Sequence, residues 1–299
     1  MLIHSPRRLG RYWLRVTLRG TDLVGTFGHP EGPGPFPGVL ALGGSDGGTP
    51  EYFLNLFVPE GFAVLALTYW GTPQTQLSMV DIPLERVERG LRWLRAQTNV
   101  RPGRLGIVGA SRGAELALLT AVAFPELVGP LVTYTPSSVV WMGIDFSSPG
   151  KPCSTWTYNG VPLPYAPYPL DVAPVQSERG ISMLPVAERG LDNHDAVERA
   201  AIEVERATGP LMLVSGGDDR VWPAKRMCDM IVARMSVRGR RRDVVHLHYP
   251  AAGHMLFPYT RPSDVTFPPF PAELGGTPDA DAAAHASAWP KVVAHLRLP

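Results

Sequence analysis

The sequence predicts an α/β architecture, a mostly parallel central sheet with helices on both faces. Three observations carry this. Short, almost continuously apolar runs recur at Val39–Leu42, Phe62–Leu67, Leu105–Val108, Leu127–Tyr134 and Leu211–Val214. Such runs lack a helical period, which is what a strand covered on both faces requires. Between them lie segments whose apolar residues recur three and four apart, and the alternation of the two patterns marks strand–helix–strand units. Turn-forming clusters follow several of the runs, as at Gly43–Gly48 and Ser215–Asp219.

Taken in order, Tyr12–Leu18 and Leu23–Phe27 alternate well enough to form an antiparallel pair. A Gly-Pro-Gly-Pro-Phe-Pro turn (32–37) then leads into the Val39 strand, and Phe62–Leu67 is the next buried strand. Pro83 to Gln97 reads as a helix, with Pro83 in its first turn and Leu84, Val87, Leu91 and Leu94 on one face. The strand Leu105–Val108 runs into a helix over Ala114–Phe124, and Leu127–Tyr134 is the strand after it. From Pro136 to about Asp192 the periodicity collapses into a Pro- and aromatic-rich stretch. A long segment without regular structure inside a compact domain is expected to be a functional lid or loop. Order resumes with a helix over Asp195–Ala207, a strand over Leu211–Val214 and a helix over Pro223–Met235. Val244–Tyr249 is the last strand, and a final helix over Ala282–Leu296 is expected to bend at Pro290.

Composition narrows the function classes. The 299 residues are 44% hydrophobic, and 28 basic residues nearly balance 27 acidic ones. No basic stripe with interleaved aromatics appears, which argues against a nucleic-acid partner. The Arg-rich patches at Arg7–Arg8 and Arg240–Arg242 read as solvated surface. Two cysteines, Cys153 and Cys228, are too few for a disulfide framework and lack partners at metal-ligand spacing, so no metal or cofactor is expected. The start of the chain has no apolar stretch suited to a signal peptide, and no run is long enough to span a membrane. The expectation is a cytoplasmic protein acting on a small molecule, with its oligomeric state open.

The chemistry centres on Gly109-Ala110-Ser111-Arg112-Gly113. A Gly-x-Ser-x-Gly pattern is weak alone, but here a strand runs straight into it and a helix leaves it. That context is the nucleophile elbow, a tight turn that holds a serine at the end of a strand. A serine hydroxyl needs a base, and the base needs an orienting acid. The chain supplies both after later strands, where ligands of open parallel sheets bind. The acid is Asp218 or Asp219, with Asp219 favoured because it sits deeper in the loop after Gly216. The base is His254, after Pro250-Ala-Ala-Gly253. His246 and His248 lie within a strand, and the other histidines lack a strand-end loop. For the oxyanion hole, the backbone N–H of Arg112 is expected as one donor and that of Gly44 as the other, with Ser45 the alternative. A phosphate-binding role for Gly43–Gly48 is disfavoured, since no Gly-Lys-Ser/Thr follows.

Further motifs match in type and order. They are Gly-Pro-Gly-Pro-Phe-Pro-Gly-Val (32–39), Glu60-Gly-Phe-Ala-Val-Leu-Ala-Leu-Thr-Tyr69, Gly113-Ala-Glu-Leu-Ala117, Ser137-Ser-Val-Val-Trp141, Gly209-Pro-Leu-Met-Leu-Val-Ser-Gly216, Asp218-Asp219-x-x-Trp222-Pro223, Ala252-Gly253-His254 and Leu274-Gly-Gly-Thr-Pro278. Together they resemble the C-terminal catalytic domain of the acyl-CoA thioesterase and bile acid-CoA:amino acid N-acyltransferase family. The resemblance implies the α/β-hydrolase fold, with Ser111, Asp219 and His254 as a catalytic triad. Animal members carry an N-terminal β-sandwich. Only about 30 residues precede the resemblance here, so a single catalytic domain over 1–299 is expected, with its lid at about 136–192. Serine, where the similar bile acid transferases use cysteine, points to the thioesterase branch. The expected activity is hydrolysis of an acyl thioester or ester through an acyl-enzyme. The alternative is transfer of the acyl group to an amine or hydroxyl, or ring closure on the substrate itself. Trp141, Trp156 and Tyr158 are the expected substrate contacts of the lid.

Overall fold

The computed structural model describes residues 2–3, 7–8, 13–19, 23–148, 150–266 and 269–299. Tyr12, the expected start of the first strand, and His4 lie outside these. A ten-stranded sheet organises the described residues. Its N-terminal edge is antiparallel. There β1 (Leu2–Ile3) and β2 (Arg7–Arg8) pair with β3 (Trp13–Arg19), and β3 pairs with β4 (Val24–Pro30). Next to β4 come β6 (Ala63–Thr68) and then β5 (Gly38–Leu42), the start of a parallel array. The array continues through β8 (Leu105–Ala110), β9 (Val128–Tyr134), β14 (Leu211–Gly216) and β15 (Val244–Tyr249).

Side-chain alternation divides each parallel strand between two cores. On one face Leu40, Leu42, Leu65, Leu67, Ile107 and Leu213 pack with α2 (Glu85–Arg95), α3 (Arg112–Ala123) and α6 (Ala224–Val237). On the other, Val39, Ala41, Val64, Ala66, Val108 and Val214 meet α1 (Tyr52–Phe57) and α7 (Pro278–Leu296). Covering one large aliphatic side chain is worth about 1.5–3 kcal/mol. Strands buried on both faces must therefore be apolar at every position, which is why no period shows in their sequences.

The segment after β9 differs from the expectation of an irregular lid. It contains β10 (Trp156–Tyr158), β11 (Val161–Pro162), the hairpin of β12 (Val175–Ser177) and β13 (Gly180–Ser182), α4 (Leu184–Leu191) and α5 (His194–Ala200). β10 lies parallel to β7 (Ile82–Pro83), ahead of α2, so the inserted segment is hydrogen-bonded to the body. Pro83 thus lies in a strand before the helix rather than in its first turn. The expected helix over Asp195–Ala207 is two pieces, α5 and a 3-10 turn at Val204–Arg206. The final helix starts earlier than expected, at Pro278, and carries Pro290 within it. Among the described residues no helix is long and apolar enough to cross a membrane.

Candidate active site

Four loops leave the carboxyl ends of parallel strands β5, β8, β14 and β15, and they bring Gly44, Ser111, Asp219 and His254 to that edge of the sheet. A parallel sheet binds its ligands in this crevice. Ser111 has φ 55° and ψ −123°, a conformation that side-chain-bearing residues avoid. Its neighbours hold it there. Its N–H donates to Tyr134 O at 2.9 Å, and its carbonyl accepts from Ala114 N and Glu115 N at 2.9 and 3.2 Å. The two glycines of the motif are dictated by crowding. A Cβ at Gly109 would stand 2.3 Å from Gly113 O, and one at Gly113 would stand 2.1 Å from Gly43 O.

The two aspartates separate cleanly. Asp219 Oδ2 accepts from His254 Nδ1 at 2.8 Å, and both side chains are buried. Its Oδ1 accepts the amides of Val221 and Trp222 at 2.9 and 3.2 Å, which fixes the carboxylate plane. Asp218 turns away, pairing with Arg220 at 2.6 Å and accepting from Gly276 N at 2.9 Å. His254 is pinned by its own amide, which donates to Leu274 O at 2.8 Å, and its ring stands edge-on to Trp222. With Nδ1 donating to the acid, Nε2 is the ring nitrogen left for a proton from elsewhere.

Gly44 lies against Ser111: a Cβ on it would fall 3.1 Å from Ser111 Cβ and 3.6 Å from Ser111 Oγ. Ser45, the alternative donor, is exposed. Tyr69 Oη donates to Gly43 O at 2.7 Å, and Trp70 Nε1 donates to Gly44 O at 3.3 Å, so the loop is braced from behind. Arg112 opens α3, and the first amides of a helix have no partner within it.

The aromatic residues of the insertion are placed otherwise than expected. Tyr158 packs edge-on to Phe124 at the far end of α3. A helix of that length separates its ends by about 18 Å, which removes Tyr158 from the surroundings of Ser111. Trp141 and Trp156 are fully buried within the protein. Trp141 stacks on Tyr168 with centroids 5.1 Å apart, and Trp156 Nε1 donates to Glu115 Oε1 at 2.6 Å. Glu115 was missed by the sequence reading, although an acidic residue on an otherwise apolar, buried helix is the signal that marks it. It pairs with the equally buried Arg112 at 2.8 Å, and burial pushes its carboxyl up to about 7 against the pull of that arginine. Among the described residues no group of His, Cys, Asp or Glu could hold a metal ion.

The model of one protein family, described as BAAT / Acyl-CoA thioester hydrolase C terminal, matches residues 82–298. The chain belongs to this family. Curated members include human acyl-coenzyme A thioesterase 1, which is 29% identical over 288 residues, covering 93% of this chain and 65% of that protein. Mouse bile acid-CoA:amino acid N-acyltransferase is 26% identical over 287 residues, covering 95% of this chain and 64% of that protein. The chain thus spans somewhat under two thirds of these relatives' length. Solved structures place the chain among α/β-hydrolase folds. A dienelactone hydrolase-like promiscuous phosphotriesterase from metagenomic libraries aligns with TM-score 0.57 at 15% identity, over 96% of this chain and 99% of that one. A monoacylglycerol lipase of Paleococcus ferrophilus aligns with TM-score 0.54 at 14% identity, over 92% of this chain and 99% of that one.

Proposed function

We propose that this protein hydrolyses acyl-CoA thioesters through an acyl-enzyme on Ser111. The observation that carries the proposal is the buried Asp219–His254 bond at 2.8 Å, which shares one strand-end edge with a serine held at φ 55°. In this reading His254 Nε2 takes the proton of Ser111 Oγ as the oxygen attacks the acyl carbonyl. The amides of Arg112 and Gly44 hold the oxyanion of the tetrahedral intermediate. Collapse breaks the carbon–sulfur bond, and His254 returns its proton to the departing CoA thiolate. Water then adds to the acyl-serine with His254 again as base, the bond from the acyl carbon to Ser111 Oγ breaks as His254 returns the proton to that oxygen, and the carboxylic acid leaves. Family membership supports the acyl-CoA substrate class, since the curated relatives are named as acyl-coenzyme A thioesterases or as a CoA-dependent acyltransferase.

The direct test is intact-protein mass spectrometry after brief exposure to a panel of acyl-CoAs, with free CoA and free acid measured alongside. We expect an acyl increment that maps to the peptide bearing Ser111, followed by release as free acid. An increment on Cys153, or no increment with any acyl donor, sinks the proposal. Product appearing only when an amine or hydroxyl acceptor is added selects acyl transfer over hydrolysis.

Gly44→Ala probes the second oxyanion donor. The added methyl would press on Ser111 Cβ at 3.1 Å without meeting a backbone atom closer than 3.4 Å. Turnover should fall by about ten- to a hundredfold, because small displacements at the reacting centre cost that much, while the melting temperature stays close to wild type. Unchanged kcat would remove Gly44 from the oxyanion hole.

A further inference from the structure

The residue after Ser111 is a buried arginine, and its guanidinium is bonded to Glu115 and to the insertion. Arg112 Nη1 donates to Glu115 Oε2 at 2.8 Å. Nη2 donates to the carbonyls of Trp141 and Met142 at 3.1 and 3.2 Å and also to Thr155 Oγ1. Glu115 Oε1 accepts the Trp141 amide at 3.2 Å and the Trp156 indole N–H at 2.6 Å. One ion pair therefore fastens two stretches of the insertion to the first turn of α3.

The network also reaches the opposite side of the nucleophile. The Trp156 ring lies under the Arg112 guanidinium at 5.9 Å and against the Tyr69 ring at 5.8 Å. Tyr69 in turn donates its hydroxyl to Gly43 O at 2.7 Å and to Gly44 O at 3.3 Å. From Glu115 a continuous chain of contacts thus runs to the Arg112 backbone on one side and to the Gly43–Gly44 loop on the other. Stability alone does not account for it. A buried ion pair costs about as much to desolvate as it returns, and apolar replacements of like volume are often as stable.

We infer that Glu115, the Arg112 side chain, Trp156 and Tyr69 are positioning residues that set the two amides of the oxyanion hole at a common spacing. The inference rests on the hydrolase reading above. It goes beyond that reading by assigning work to a buried charged cluster whose contacts are all within the protein. The cluster spans the gap between β6, which leads into Tyr69, and α3, which begins at Arg112.

Three variants test it: Tyr69→Phe, Glu115→Gln and the paired Arg112→Met/Glu115→Leu. For each, kcat and KM with an acyl-CoA, the melting temperature, and the rate of fluorophosphonate labelling of Ser111 are measured. Tyr69→Phe keeps the ring and loses only the hydroxyl, so we expect kcat and labelling to fall about tenfold with KM and melting temperature unchanged. Glu115→Gln should lose both stability and kcat, because it leaves Arg112 buried and uncompensated. The paired variant should regain stability and keep the low kcat. Wild-type kcat in Tyr69→Phe, or a paired variant whose kcat recovers together with its melting temperature, overturns the inference. Should the paired variant fail to fold, Tyr69→Phe decides alone. Failure of the hydrolase reading shows separately, as absent labelling of wild-type Ser111.

Discussion

Asp219→Asn is expected to lower kcat by about four orders of magnitude while leaving the fold intact. The two carboxylate oxygens of Asp219 do different work. Oδ1 accepts two loop amides, from Val221 and Trp222, and Oδ2 accepts from His254 Nδ1. Asparagine can keep its carbonyl toward the amides, since turning it would aim an NH2 at two N–H donors. Its NH2 then faces Nδ1 and must donate, so Nδ1 becomes the acceptor and the ring proton moves to Nε2. A histidine protonated at Nε2 cannot take the proton of a serine. The loss should therefore fall on kcat, with KM and melting temperature little changed. Asp218→Asn is the control. Its side chain is partly exposed and bonded to Arg220 and the Gly276 amide, so turnover should remain within about twofold of wild type. A kinetic panel on the two variants reads the difference, and equal losses from both would reject Asp219 as the orienting acid.

The contrast between these neighbours explains how far the sequence could be read. That Ser111, Asp219 and His254 each follow a parallel strand, β8, β14 and β15, was legible, because a parallel sheet delivers such loops to one edge. The glycines of the elbow were legible too, since they mark backbone crowding that only a missing side chain relieves. Asp219 was favoured over Asp218 by loop depth and by the family resemblance. What distinguishes them in space is the partner each finds in a distant segment, His254 for Asp219 and the Gly276 amide for Asp218, and such contacts have no local signature.

The insertion was the least legible part, for a related reason. Its strands are short, and β10 finds its partner in β7, more than seventy residues earlier. Tryptophan and tyrosine in a proline-rich stretch look like the lining of a ligand site. Here Trp141 and Trp156 are spent instead on closing the insertion over α3, around a charged pair that apolar patterning cannot reveal. Buried aromatics and substrate-lining aromatics have the same composition and differ only in what lies across from them.

Gly113→Ala should have the largest effect on the fold of any single methyl added at the elbow. The new Cβ would lie 2.1 Å from Gly43 O, 2.4 Å from Leu42 O and 2.8 Å from Gly43 C. All three are backbone atoms, at the end of β5 and the start of the loop that carries Gly44, so no rotamer change relieves the clash. Either α3 lifts from β5 or the loop is pushed off Ser111. The first opens a core in which Leu40, Leu42 and Leu116 are fully covered, and the second moves Gly44 away from Ser111. Severe backbone overpacking of this kind falls in the range of about 4 kcal/mol or more, a drop of about 10 °C in a melting curve, with turnover lost in the fraction that folds. Gly106→Ala, on β8, is the fair comparison. Its closest neighbours are the side-chain tips of Leu296 and Val39 at 3.2 and 3.3 Å, which can give way. That variant should lose about 1–2 kcal/mol and retain activity. If Gly113→Ala melts and turns over like wild type, the close seat of α3 on β5 is not what holds the serine in its strained conformation. If both glycine variants fall equally, the damage is general to the sheet and not particular to the elbow.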